Sequence, residues 1–129
     1  MLYSSLGPVP IRPILVDLDL QSIPCRSIAP LPTSERAVIL TTVLGVGSTG
    51  AVYQGFLGKK AVAVKVIEVL RRYDYKKRRR LRAEFNVYAH LEELYKSKKL
   101  AKRITPQCYG AFKSKRLDII VMGLHGSAL

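Results

Sequence analysis

Three features of this 129-residue chain place chemically useful groups at telling separations. Gly45-Val46-Gly47-Ser48-Thr49-Gly50-Ala51-Val52 fits the pattern G-x-G-x-x-G-x-V. Glycines so spaced let the backbone turn tightly and bring bare N–H groups against phosphate oxygens. Lys65 stands inside the apolar run Val62-Ala63-Val64-Lys65-Val66-Ile67. On a strand it shares a face with Ala63 and Ile67, so its ammonium either snorkels to the sheet margin or is enclosed. Glu84 borders Phe85, Val87, Tyr88 and Leu91. A carboxylate beside such a stripe costs free energy unless a cation meets it. Lys65 and Glu84 answer each other's need.

The glycine triplet alone is a weak signal, because an ordinary hairpin can use the same residues. Its surroundings separate the candidates. A P-loop needs a lysine directly after the last glycine, and Ala51 stands there. A dinucleotide fold needs a helix after the loop and an acid roughly 20 residues on. Glu68 lies at a tolerable distance, but Gly55, Gly58 and the β-rich run 51–57 oppose a helix.

The elements that must position these groups follow from propensity and period. Ala37–Leu44, Ala51–Leu57 and Ala61–Val69 read as three strands joined by short turns, hence an antiparallel meander. Between Lys77 and Leu100 there is no Gly or Pro. Leu81, Phe85, Tyr88, Leu91 and Tyr95 recur there at helical steps, giving a helix with one apolar stripe. Pro106 marks its end region. Cys108–Phe112 and Leu117–Met122 read as a hairpin around Lys113–Arg116. Residues 1–33 hold six of the seven prolines, so residues 1–36 read as an extended arm, with a short strand near Ile14–Leu20. Residues 37–129 then form one α+β domain, a five-stranded antiparallel sheet with one helix.

With those residues in place, the chain resembles the N-terminal lobe of the eukaryotic protein kinases. GVGSTGAV stands for the glycine-rich loop, VAVK for the lysine motif and Glu84 for the glutamate of helix C. The run Arg82-Ala83-Glu84, Tyr88, Leu91, Ile104-Thr105-Pro106 and Tyr109-Gly110 is similar to divergent kinase-like proteins expanded in fungi. The resemblance covers about residues 37–129. It implies that Gly45, Gly47 and Gly50 cover the phosphates of ATP, with Val46, Ser48 and Thr49 in the same loop and Val52 over the adenine. It also implies that Lys65 binds the α- and β-phosphates, that Glu84 holds its ammonium, and that Ala63 lines the adenine pocket. Met122 would be the gatekeeper and Gly123-Leu124-His125 the hinge, although His125 reads more readily as a solvated turn residue.

The sequence also departs from an active kinase. It holds neither His-Arg-Asp nor Asp-Phe-Gly, so no catalytic residue and no metal ligand is assigned within it. Mg²⁺ would be held only if a C-terminal lobe supplied its ligands. The expectation is a lobe truncated at the hinge, not catalytic alone, with an apolar underside meeting the missing lobe or a protein partner.

Composition bounds the rest. Lys plus Arg number 22 against nine Asp plus Glu, and Arg71–Arg82 concentrates the surplus. That run reads as a solvated approach to the helix. It also suits an acidic or phosphorylated partner, or a nuclear-localisation patch at Lys76–Arg80. The competing function is therefore a non-catalytic basic module binding nucleic acid or an acidic partner, with Tyr73 and Tyr75 interleaved among the cations. No run suits a membrane span or a secretory signal. Cys25 and Cys108 match no metal spacing, so reduced thiols in the cytoplasm or nucleus are expected.

Overall fold

A computed structural model describes residues 8–18, 21–22, 37–47, 50–70, 74–99, 107–113 and 116–124. Their order is β1 (Val9–Asp17), β2 (Gln21–Ser22), β3 (Ala37–Gly47), β4 (Gly50–Leu57), β5 (Lys60–Glu68), α1 (Tyr75–Lys96), β6 (Cys108–Lys113) and β7 (Leu117–Gly123). The chain is α+β, with one antiparallel sheet ordered β1-β3-β4-β5-β7-β6-β2 and one helix among the described residues. The expected meander β3-β4-β5 and the hairpin β6-β7 are both present.

The sheet has more than the five strands expected. Two pieces of the proline-rich segment join the sheet: β1 pairs with β3 at one edge and the two-residue β2 pairs with β6 at the other. Proline did not prevent this because β1 is an edge strand, where a missing N–H costs nothing on its open side. Its register slips between Pro10 and Ile14, around Pro13.

This connectivity forces the sheet to curl. Seven flat strands would span about 29 Å between the outermost members. Asp17 ends β1 and Gln21 begins β2, and four residue steps reach at most about 15 Å. The two edges must therefore approach each other. Leu18, between them, is 1% exposed and packs with Val38, Leu40, Leu57, Val62, Val64, Phe112, Ile119 and Val121. Curling gives these inward-facing residues a core without a second layer.

The opposite face of the sheet takes the helix. Ile67, Val69, Cys108, Ala111 and Ile120 meet Leu81 and Phe85, with Tyr88 and Met122 packed alongside. The helix starts two residues before the expected Lys77 and ends at Lys96 rather than Leu100. Its stop carries no glycine. Lys98 adopts φ 64°, and the amides of Lys98 and Lys99 donate to the carbonyls of Tyr95 and Leu94, which is a Schellman closure built on lysine. The apolar stripe is also shorter than its periodicity suggested. Leu81 and Phe85 are buried, Leu91 and Tyr95 only half so, and the third buried helix residue is Glu92. Farther along this face, Leu15, Ile39 and Phe56 are cross-strand partners in one exposed row. None of the described helices is long and apolar enough to cross a membrane.

Candidate functional site

The glycine run forms the β3–β4 hairpin. The expected break at Gly45 does not occur: β3 continues to Gly47, which pairs with Gly50. Ser48 and Thr49 lie outside the described residues, as does His125. Gly50 has φ +139°, and a Cβ there would stand 2.4 Å from the Val66 carbonyl oxygen and 2.6 Å from Ile67 Cγ2. The hairpin therefore rests directly on β5, one residue past Lys65, and only glycine permits that approach.

Strand register gathers the other expected residues. Val52 is opposite Lys65, and Ala63 is opposite Met122. Side chains on paired positions point the same way, so Val52, Ala63, Lys65 and Met122 share the face that carries the helix. Val46, by contrast, is 62% exposed. Leu124 follows β7, and its N–H donates to the Ala61 carbonyl at 3.4 Å, while the Gly123 N–H donates to Gln107 at 2.7 Å. Both amides are thus engaged by the chain's own carbonyls.

Lys65 Nζ donates to Glu84 Oε2 at 2.6 Å, joining β5 to the helix. The two side chains are 25% and 30% exposed, so the pair is reachable from solvent and shielded from it on one side. Tyr88, one helical turn beyond Glu84, donates its hydroxyl to Oε1 at 2.6 Å. Both carboxylate oxygens are therefore engaged, which fixes the plane that Lys65 meets. Periodicity marked Tyr88 only as a stripe residue. The i, i+4 spacing from Glu84 was the available signal. Tyr88→Phe keeps the ring and removes this bond. It is expected to lower stability by about 1 kcal/mol or less, as read by urea unfolding.

Lys65 and Glu84 also line a cleft of about 90 Å³ with Lys77, Arg80 and Leu81. Lys77 Nζ is additionally 3.4 Å from Asp74 Oδ1. Three cations against two carboxylates leave the cleft with a positive surplus, which suits an anion; no residue of the glycine hairpin lines it. Sequence reading had assigned Lys77 and Arg80 to a general basic run. Their spacing of seven and four residues before Glu84 places them on its side of the helix.

The basic run is divided by the fold. Residues 71–73 lie outside the described residues. From Tyr75 onward the run is helix rather than a solvated approach to one. Lys76, Arg79 and Arg80 are exposed, whereas Arg78 and Arg82 turn toward Asp118 on β7. No group of three or more His, Cys, Asp or Glu among the described residues could hold a metal ion. Comparison of the chain with protein-family profiles, with curated proteins and with solved structures finds no match.

Proposed function

We propose that this chain is the ATP-cradling half of a phosphotransfer domain of the protein-kinase type. The observation that carries the reading is the 2.6 Å contact between Lys65 on β5 and Glu84 on the following helix, downstream of a glycine hairpin pressed onto the same strand. In kinases a strand lysine paired with a helix glutamate must be in place for the phosphates to be held. Here the glycine hairpin would lie over the phosphates and Lys65 would contact them. Glu84 and Tyr88 would keep the ammonium aimed, and Val52, Ala63 and Met122 would line the adenine side. Phosphoryl transfer to a protein hydroxyl would further need a catalytic aspartate and Mg²⁺ ligands, neither of whose motifs occurs in these 129 residues. The half described here would bind and orient ATP, and a second lobe would complete the chemistry. Titration of the full chain with ATP tests this. Saturable binding that excess inorganic phosphate displaces only weakly is expected, and no binding at millimolar ATP would sink the proposal.

A second reading has its own observation. Lys76, Arg79 and Arg80 project from the exposed part of the helix, a surface that suits nucleic acid or an acidic partner. On that reading, binding to a single-stranded oligonucleotide falls steeply with salt. The slope should flatten by roughly two to three charges when all three are changed to Gln. The same binding is unaffected by Lys65→Met. A salt slope unchanged by the triple substitution would remove this surface from consideration.

A further inference from the structure

Asp118 is the most completely buried charged residue described, with 0% exposure, the second residue of the otherwise apolar β7. Its carboxylate faces the helix. Arg78 Nε donates to Oδ1 at 2.8 Å, and Arg82 Nε stands 3.4 Å from Oδ2. That second contact is an ion pair without hydrogen-bond alignment. Arg78 also stacks on the Tyr75 ring, 5.9 Å from its centroid. A fully buried carboxylate held by two helix arginines is an expensive way to stabilise a fold, since an apolar residue there would serve as well. Its value lies in geometry.

The helix meets the sheet through a narrow ridge, chiefly Leu81 and Phe85. At 3.6 residues per turn, Glu84 projects about 80° to one side of that ridge, and Arg78 and Arg82 project about 40° and 80° to the other. A two-residue apolar ridge tolerates rolling, because burial has no direction. Charged hydrogen bonds are directional. On the sheet, Asp118 lies two residues from Ile120 on β7, and Ile120 is the register partner of Lys65. The two polar contacts thus anchor opposite flanks of the helix to neighbouring strands.

We infer that Asp118 is a positioning residue: by holding Arg78 and Arg82 it fixes the roll of the helix that brings Glu84 to Lys65. The inference concerns helix placement, and only its consequence for ATP rests on the function proposed above. Loss of the Asp118 contact lets the helix roll about Leu81 and Phe85, and Glu84 withdraws from Lys65 although neither residue has changed.

The test follows the Lys65 side chain directly. In the full chain labelled with ¹⁵N at lysine Nζ, the Lys65 ammonium signal is assigned by its loss in Lys65→Met, and Glu84→Gln gives the position for a broken pair. Asp118→Asn is expected to move the Lys65 signal at least half of the way to that position while the amide spectrum remains that of a folded protein. Should Asp118→Asn unfold the chain by removing the charge that faces Arg78 and Arg82, a second variant decides. The double variant Asp118→Leu/Arg78→Met replaces the pair with apolar groups of similar size, preserving the core, and should move the signal equally. A folded variant whose Lys65 signal stays at the wild-type position overturns the inference. Titration with ATP is run on the same samples. A shifted Lys65 signal with no ATP binding in any sample, wild type included, upholds Asp118 as the positioning residue and removes the kinase-type reading instead.

Discussion

Lys65→Met is expected to weaken ATP binding by about 10- to 100-fold while leaving the fold in place. A charge-assisted hydrogen bond to a phosphate contributes about 1.5–3 kcal/mol, and methionine supplies none. The substitution keeps the length and apolar stem of the lysine, whose side chain is one quarter exposed, so core packing at β5 is retained. Glu84 keeps its bond from Tyr88 and is open enough for water to solvate the freed oxygen. The stability cost should therefore stay near 0–1 kcal/mol. Calorimetric titration of wild type and variant with ATP, together with urea unfolding of both, separates affinity from stability. Equal affinities in two folded samples would show that phosphates do not meet Lys65, and the proposed role of the Lys65–Glu84 pair would fall with that result.

Gly50→Ala should have the largest effect on stability. Two costs combine at this position. The backbone φ of +139° is one that residues with a side chain rarely adopt, worth about 1–3 kcal/mol. The new methyl also meets the Val66 carbonyl oxygen at 2.4 Å. That atom belongs to a strand paired on both sides, so it cannot yield as a flexible side chain would. Overpacking of this kind adds about 1–3 kcal/mol. A loss of about 2–6 kcal/mol is expected from urea unfolding. Val46→Ala, four residues earlier on an exposed side chain, should stay within about 0.5 kcal/mol of wild type. Relief of the clash would lift the hairpin from β5 beside Lys65, so ATP affinity should fall as well. An unfolding midpoint for Gly50→Ala equal to that of Val46→Ala would mean that the hairpin does not rest on β5.

Much of this site could be read along the chain because its requirements are local. A glycine triplet between two strand patterns, a lysine in an apolar strand and a glutamate beside a helical stripe are each anomalous in their own surroundings. An anomaly is visible without coordinates. The strand pattern from Ala37 to Met122 was likewise legible, since alternation and turn residues act over a few positions. Tyr88 was harder. A tyrosine in an apolar stripe satisfies the helix period whether or not its hydroxyl has work to do. The end of the helix was illegible for a specific reason: Lys98 takes the left-handed position that glycine normally marks.

What the sequence by itself determined was the order of elements from Ala37 onward, the antiparallel hairpins and the chemical types gathered on β4, β5 and the helix. These follow from short-range propensity and from the need to pair a charge placed in apolar surroundings. What only the tertiary structure decided were contacts between segments far apart in the chain. The proline-rich arm supplies both edges of the sheet because four residues must join β1 to β2, and that closure depends on register at two distant strands. Asp118 meets Arg78 across 40 residues, and neither residue's neighbours indicate the other. Long-range pairing depends on how the sheet curls and where the helix lies, and those are properties of the packed core rather than of any stretch within it.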